Sequence, residues 1–203
     1  RDLRMSRGLG DVYKRQGFLF ALFVGIPMGI YSAKKNGKML DHATRFFSIG
    51  AVSLPTFWVA MVFQLVFYRI LNWLPLGGRM SINASLLYEI PNVTGMLIID
   101  CILTGCWELL GDAFVHIIMP GFTIALYPIG LVARMTRSAL LEILNEDYIT
   151  ASKSYGIREG KVLWRYALKN SLGATATVVA LSMGYSLTNT FLTETIFSWP
   201  GLG

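Results

Sequence analysis

The residues that could carry chemistry are few and scattered. His42 and His116 are isolated, with no second histidine beside either. Cys101 and Cys106 lack the two-residue spacing of a metal or redox motif, so both read as free apolar cysteines. Glu142, Glu146 and Asp147 lie close together. Paired carboxylates can share acid–base work, but these three border a charged, helix-forming stretch and read as solvated. Gly37-Lys38 and Gly160-Lys161 lack the upstream glycine of a phosphate-binding loop, GxxxxGK[ST]. No nucleophile–base pair is visible. His116 reads as a packed or interfacial side chain, with a carboxylate partner or a place on a solute path as its functional alternatives. The expectation is a protein that is not an enzyme, without cofactor or metal.

The elements around these residues explain why. Hydrophobic residues make up 54% of the 203-residue chain and charged ones only 15%, with a mean hydropathy of +0.51. Soluble domains carry about 25% charged residues. Four runs hold no charge: 17–33, 46–68, 113–133 and 170–193, of 17, 23, 21 and 24 residues. About 20 apolar residues cross a bilayer as a helix, so four membrane spans are expected. The fourth is rich in Ser, Thr and Asn, which suits burial against other helices or a watery path better than contact with lipid. Pro27, Pro55, Pro120 and Pro128 are expected to kink the spans.

Charge sets the orientation. Lys34, Lys35, Lys38 and Arg45 lie between the first two spans, and seven Lys or Arg lie between 134 and 169. Residues 69–112 hold two Arg against Glu89, Asp100, Glu108 and Asp112. Basic loops stay in the cytoplasm, so the acidic segment faces outward. The net charge of +6 is thereby topology, and no nucleic-acid partner is expected. The outer segment "VTGMLIIDCILTGCW" reads as a helix at the interface anchored by Trp107, with a re-entrant segment as the alternative.

Residues 134–169 read as helix, break, helix. Leu140, Leu141, Leu144, Tyr148 and Ile149 keep helical spacing, and Gly156 is a natural stop because glycine takes a left-handed conformation without penalty. A short helix hung between two spans is suited to a partner's groove.

Here "YITASKSYGIREGKVLWRYALKNSL" resembles the coupling loop, often called the EAA loop, of permease subunits in binding-protein-dependent ABC importers. The family pattern is Glu-Ala-Ala, three residues, then Gly; this chain has Thr150-Ala151-Ser152, three residues, then Gly156. The missing acid and second Ala fit the dipeptide, oligopeptide and nickel branch. "ETIFSWPGLG" (194–203) is similar to that branch's signature, and "GIPMGIYSA" and "SLPTFWVAMV" to its earlier spans. The likeness covers 17–203; Gly173 departs from it, standing where many members have Pro.

The resemblance implies an all-α, polytopic helical bundle in the cell (inner) membrane, with a cytoplasmic coupling helix and a long outer interfacial loop. It implies an ATP-driven importer passing peptides or similar small solutes, nickel included. The partners would be a second permease subunit, two ATP-binding subunits, an extracytoplasmic solute-binding protein and membrane lipid. Asp147, Tyr148, Thr150, Ala151, Ser152, Tyr155 and Gly156 would form the ATPase-coupling loop. Asn189 and Glu194 are candidates for the path or outer gate. An ion-coupled carrier or a membrane-embedded enzyme is the alternative; the first needs carboxylates within the spans, the second a catalytic set.

The opening "RDLRMSRGLGDVYKRQ" fits none of this. GDVYKRQ can be encoded by GGA GAT GTG TAT AAG AGA CAG, which contains a transposon-end sequence used in library adaptors. Residues 1–16 are therefore expected to be translated junction sequence, leaving 13 basic and 10 acidic residues in 17–203. One further helix is expected on each side of 17–203.

Overall fold

The computed structural model describes residues 19–78, 80–81 and 97–199, with the side chains of 97–100, 183 and 185–190 excepted. The junction reading of residues 1–16 falls outside them. All regular structure among the described residues is helical. The helices are α1 (Leu19–Lys34), α2 (Met39–Ser53), α3 (Thr56–Phe63), α4 (Leu97–Thr104), α5 (Trp107–Leu144), α6 (Asp147–Ser154), α7 (Glu159–Lys161) and α8 (Leu168–Ile196). Two π-helical stretches, Gln64–Ile70 and Val162–Ala167, extend α3 and join α7 to α8.

The expected spans fare unequally. The third lies within α5, which at 38 residues is about 57 Å long, well beyond the ~30 Å of a bilayer's apolar core. α5 continues as one helix through Pro120 and Pro128. The second run, 46–68, is divided. Leu54 leaves the helix before Pro55, as the residue preceding a proline tends to, and α3 restarts with Pro55 extended at its N-terminus. The first run forms the 16-residue α1, and the fourth lies inside the 29-residue α8. Among the described residues, α5 alone is long and apolar enough to cross a membrane unaided; α2 with α3 and its extension qualifies only as a broken pair.

The chain divides into two compact units. One comprises 19–53 and 126–185 and contains the candidate coupling segment. Its helices meet through small residues. A Cβ on Gly29 of α1 would stand 2.7 Å from both the Ala133 carbonyl and the Thr136 Cβ of α5. Only a glycine permits that approach, the close packing expected of membrane helices. Around the candidate coupling segment Ile30, Ala33, Leu140, Ile149, Val162, Leu163 and Ala167 form a buried cluster.

The other unit comprises, among the described residues, 54–78, 80–81, 97–125 and 186–199. Among the described residues Phe197 is its largest fully buried side chain, and it packs with Ala60 and Met119. Gln64 donates from Nε2 to the carbonyls of Leu76 (2.9 Å) and Ile196 (3.0 Å), and the Gly78 N–H donates to the Phe197 carbonyl (2.8 Å). The 194–199 motif is thus stitched to the segment after α3. Within the segment read as interfacial, Leu97–Thr104 is the helix α4, stopped by Gly105 at φ +73°, and Trp107 opens α5 with its side chain exposed.

Candidate docking segment

α6 is a helix with one foot in the core. Glu146 is extended (ψ 147°) and ends the apolar pattern of α5, so the helix expected to run unbroken towards Gly156 is divided at 145–146. Asp147 in the first turn and Lys153 in the last complement the helix dipole. Ile149 is fully buried in the cluster of Ile30, Leu140 and Leu163. Asp147, Tyr148, Thr150, Ala151, Tyr155 and Gly156 are exposed, and Ser152 is half-buried.

The stop is chemically explicit. Gly156 has φ +73°. Its N–H donates to the Lys153 carbonyl (2.9 Å), and the Ile157 N–H donates to the Ser152 carbonyl (3.2 Å). This is the paired closure of a Schellman motif, and Ile157 completes it by packing on the same core cluster. Ser152 and Ser154 turn their hydroxyls back to the carbonyls of Tyr148 (2.7 Å) and Thr150 (3.1 Å). Those bonds occupy the hydroxyls of Ser152 and Ser154, while Tyr148, Ala151 and Tyr155 stay on the exposed side of the helix.

Two ties were not foreseen. Asn170 at the start of α8 donates to the Tyr148 hydroxyl at 2.9 Å, linking α6 to the long helix. Asp41 on α2 is fully buried and receives a two-pronged contact from Arg137 of α5, the Ser32 hydroxyl (2.7 Å) and the Gly37 N–H (3.0 Å). The Arg137 guanidinium, aided by Ser32 and Gly37 and opposed by burial, holds the Asp41 carboxyl well below the usual carboxylate range. Arg137 also donates to the Asn36 side chain at 3.0 Å. The available signal was an acid in an otherwise basic loop.

The remaining candidates belong to other elements than α6. Glu194 lies in the other unit, 4% exposed, with the Trp199 N–H on its backbone carbonyl. The side chain of Asn189 falls outside the described residues. His116 is buried, its Nδ1 bonded to the Asp112 carbonyl at 2.8 Å. Among the described residues no three His, Cys, Asp or Glu side chains gather as metal ligands.

Residues 25–203 match the model of the binding-protein-dependent transport system inner membrane component. The chain belongs to that family. Over 185 residues it is 38% identical to the dipeptide transport system permease protein DppB of Alkalihalophilus pseudofirmus and to the di/tripeptide transport system permease protein DppB of Pseudomonas aeruginosa. It is 40% identical over 185 residues to the probable D,D-dipeptide transport system permease protein DdpB of Escherichia coli K12. Each alignment covers 91% of this chain and 54% of the relative, so the chain spans about half the length of the curated relatives it matches. Membership of this inner membrane transport family, with relatives named for dipeptide transport, agrees with the family resemblance read from the sequence.

Proposed function

We propose that the chain is the permease component of an ATP-driven importer and contributes to the path for dipeptides or similar small solutes. It crosses the membrane several times, with residues 34–45 and 134–169 on the cytoplasmic side. A second permease subunit completes the path, two ATP-binding subunits sit below it, and a solute-binding protein delivers from outside. The relatives named for dipeptide transport support the solute class.

The single observation that carries the coupling role is α6 itself. It is a two-turn helix pinned by Ile149, closed at Gly156, and exposed along Tyr148, Ala151 and Tyr155. A helix held this way transmits force, because movement of its exposed face must carry Ile149 and the core cluster with it. ATP-driven movement of a groove around α6 would then reach α1, α5 and α8.

The test is Ala151→Asp in the full-length subunit within its complex. A charge on the presented face should lower co-purification of the ATPase several-fold and abolish solute-stimulated hydrolysis in vesicles, with membrane insertion unchanged. Wild-type hydrolysis in this variant would remove α6 from the coupling role.

A further inference from the structure

A cavity of about 480 Å³ opens beside the core cluster of the α6-containing unit. Lys34, Lys153 and Arg158 line it together with Glu159, Leu163 and Trp164. None of the three cations is in an ion pair among the described residues, and all three are exposed. Ala33, Val162 and Leu163 give it a buried apolar wall, and Trp164 is 56% exposed at its edge. The opening therefore carries an excess of positive charge over a greasy wall.

We infer that this cavity binds the headgroup of an anionic phospholipid from the cytoplasmic leaflet. This rests on the cytoplasmic placement of residues 34–45 and 134–169 proposed above. Lys34 is the last residue of the apolar helix α1; on the proposed topology the cavity stands where that helix leaves the membrane. Tryptophan favours that same depth, with its ring among headgroups. Basic pockets at the cytoplasmic ends of membrane helices suit phosphate-bearing headgroups, and Arg158 supplies the planar fork that grips a phosphate through two N–H groups. A soluble anion has no use for the apolar wall or for the exposed indole. An acidic segment of the ATPase would meet the cations, but it would leave Trp164 uncovered at the membrane edge.

Lipid bound there would bear on α6 directly. Lys153 is in its last turn and Arg158 follows its stop by two residues, so a headgroup would brace the segment against α1 and the Val162–Ala167 stretch.

The experiment purifies the full-length subunit in its complex from membranes containing phosphatidylglycerol and phosphatidylcholine, then measures retained lipid by mass spectrometry. Wild type should retain phosphatidylglycerol selectively. Lys34→Gln, Lys153→Gln and Arg158→Gln together should lower that retention about tenfold or more, given the attraction each basic residue exerts near an anionic surface. Each single Gln variant should lower it by a smaller factor, and the charge-keeping pair Lys34→Arg and Lys153→Arg, with Arg158 retained, should keep it. Unchanged retention in the Gln variants overturns the inference. So does displacement of the lipid by millimolar inorganic phosphate, which would mark a site for free anion. Loss of ATPase co-purification with lipid retention intact would instead assign the cavity to the ATPase. Because retention is read without transport, the result separates from success or failure of the coupling reading.

Discussion

Asp41 and Arg137, 96 residues apart in sequence, meet in a buried, two-pronged ion pair between α2 and α5. Ser32 at the end of α1 and Gly37 in the following turn donate to the same carboxylate, so one buried acid gathers three successive elements around α5. Arg45 approaches at 3.8 Å from the exposed side. A buried charge pair is poor evidence of net stability, since desolvation offsets much of the attraction. Breaking one partner is another matter, because the survivor is left charged and unpaired.

Arg137→Met should therefore destabilise the protein by on the order of 3 kcal/mol, while Asp41→Asn with Arg137→Met together should cost less than the sum of the singles. Thermal or denaturant unfolding of the full-length subunit in detergent measures this. Additive losses would show that the pair does not act as a unit.

The same pair sets a pH dependence. Asp41 lies before the apolar run that begins at 46, and its folded-state pKa is lowered. Its contribution is fully present above the unfolded aspartate value of about 3.9 and is lost as pH falls below it towards the folded value. The stability advantage of wild type over Asp41→Asn should hold from pH 8 to pH 5 and shrink only below about pH 4. An advantage that already declines between pH 7 and pH 5 would contradict the lowered pKa.

Gly29 offers a packing test. A Cβ there collides with a backbone carbonyl and a β-branched side chain of α5, neither of which yields cheaply. Gly29→Ala should cost about 1–3 kcal/mol, whereas Gly50→Ala, with nothing within 4 Å, should be neutral or mildly stabilising. Paired unfolding midpoints for the two variants decide it.

How much of this was legible beforehand depended on which contacts are local. Gly156 was readable because a helix stop is written in adjacent residues: one φ, two backbone bonds and Ile157 close by. The break at Leu54–Pro55 was half-readable. Proline marked it, but hydropathy cannot tell a kinked span from a divided one, since both leave the same apolar count. The Asp41–Arg137 pair was not readable at all. Charge counting places both residues in cytoplasmic loops and says nothing about pairing across 96 positions. Gln64 was hidden likewise, a lone amide inside an apolar run whose two carbonyl partners lie 12 and 132 residues away. Glu194, a candidate at the start of the 194–203 motif, is buried, and Phe197 in that motif, which was not singled out, is buried with Ala60 and Met119.

At Gly156 the constraint is the backbone and not space, since a Cβ would meet nothing within 4 Å. Left-handed φ costs a residue with a side chain about 1–2 kcal/mol, more for a β-branched one and less for asparagine. Gly156→Val in the full-length subunit should insert normally but lose ATPase co-purification and stimulated hydrolysis; Gly156→Asn should retain most of both. Equal effects of Val and Asn would mean that the side chain's presence, and not the helix stop, matters to the partner.

Orientation can be tested with impermeant thiol reagents in intact cells. The native Cys101 and Cys106 are first replaced by Ser, because Cys106 is only half-buried. Asn36 is a poor reporter, since its side chain accepts from Arg137, so cysteines are best placed at Lys38 and Ser154, both exposed. These should resist the reagent until the membrane is permeabilised, because they lie in the two basic loops that the charge asymmetry assigns to the cytoplasm. A cysteine at Asn83, in the acidic segment, should label from outside. Strong external labelling at Ser154 would place α6 on the wrong side of the membrane for an ATPase, and would overturn the orientation and the coupling role together.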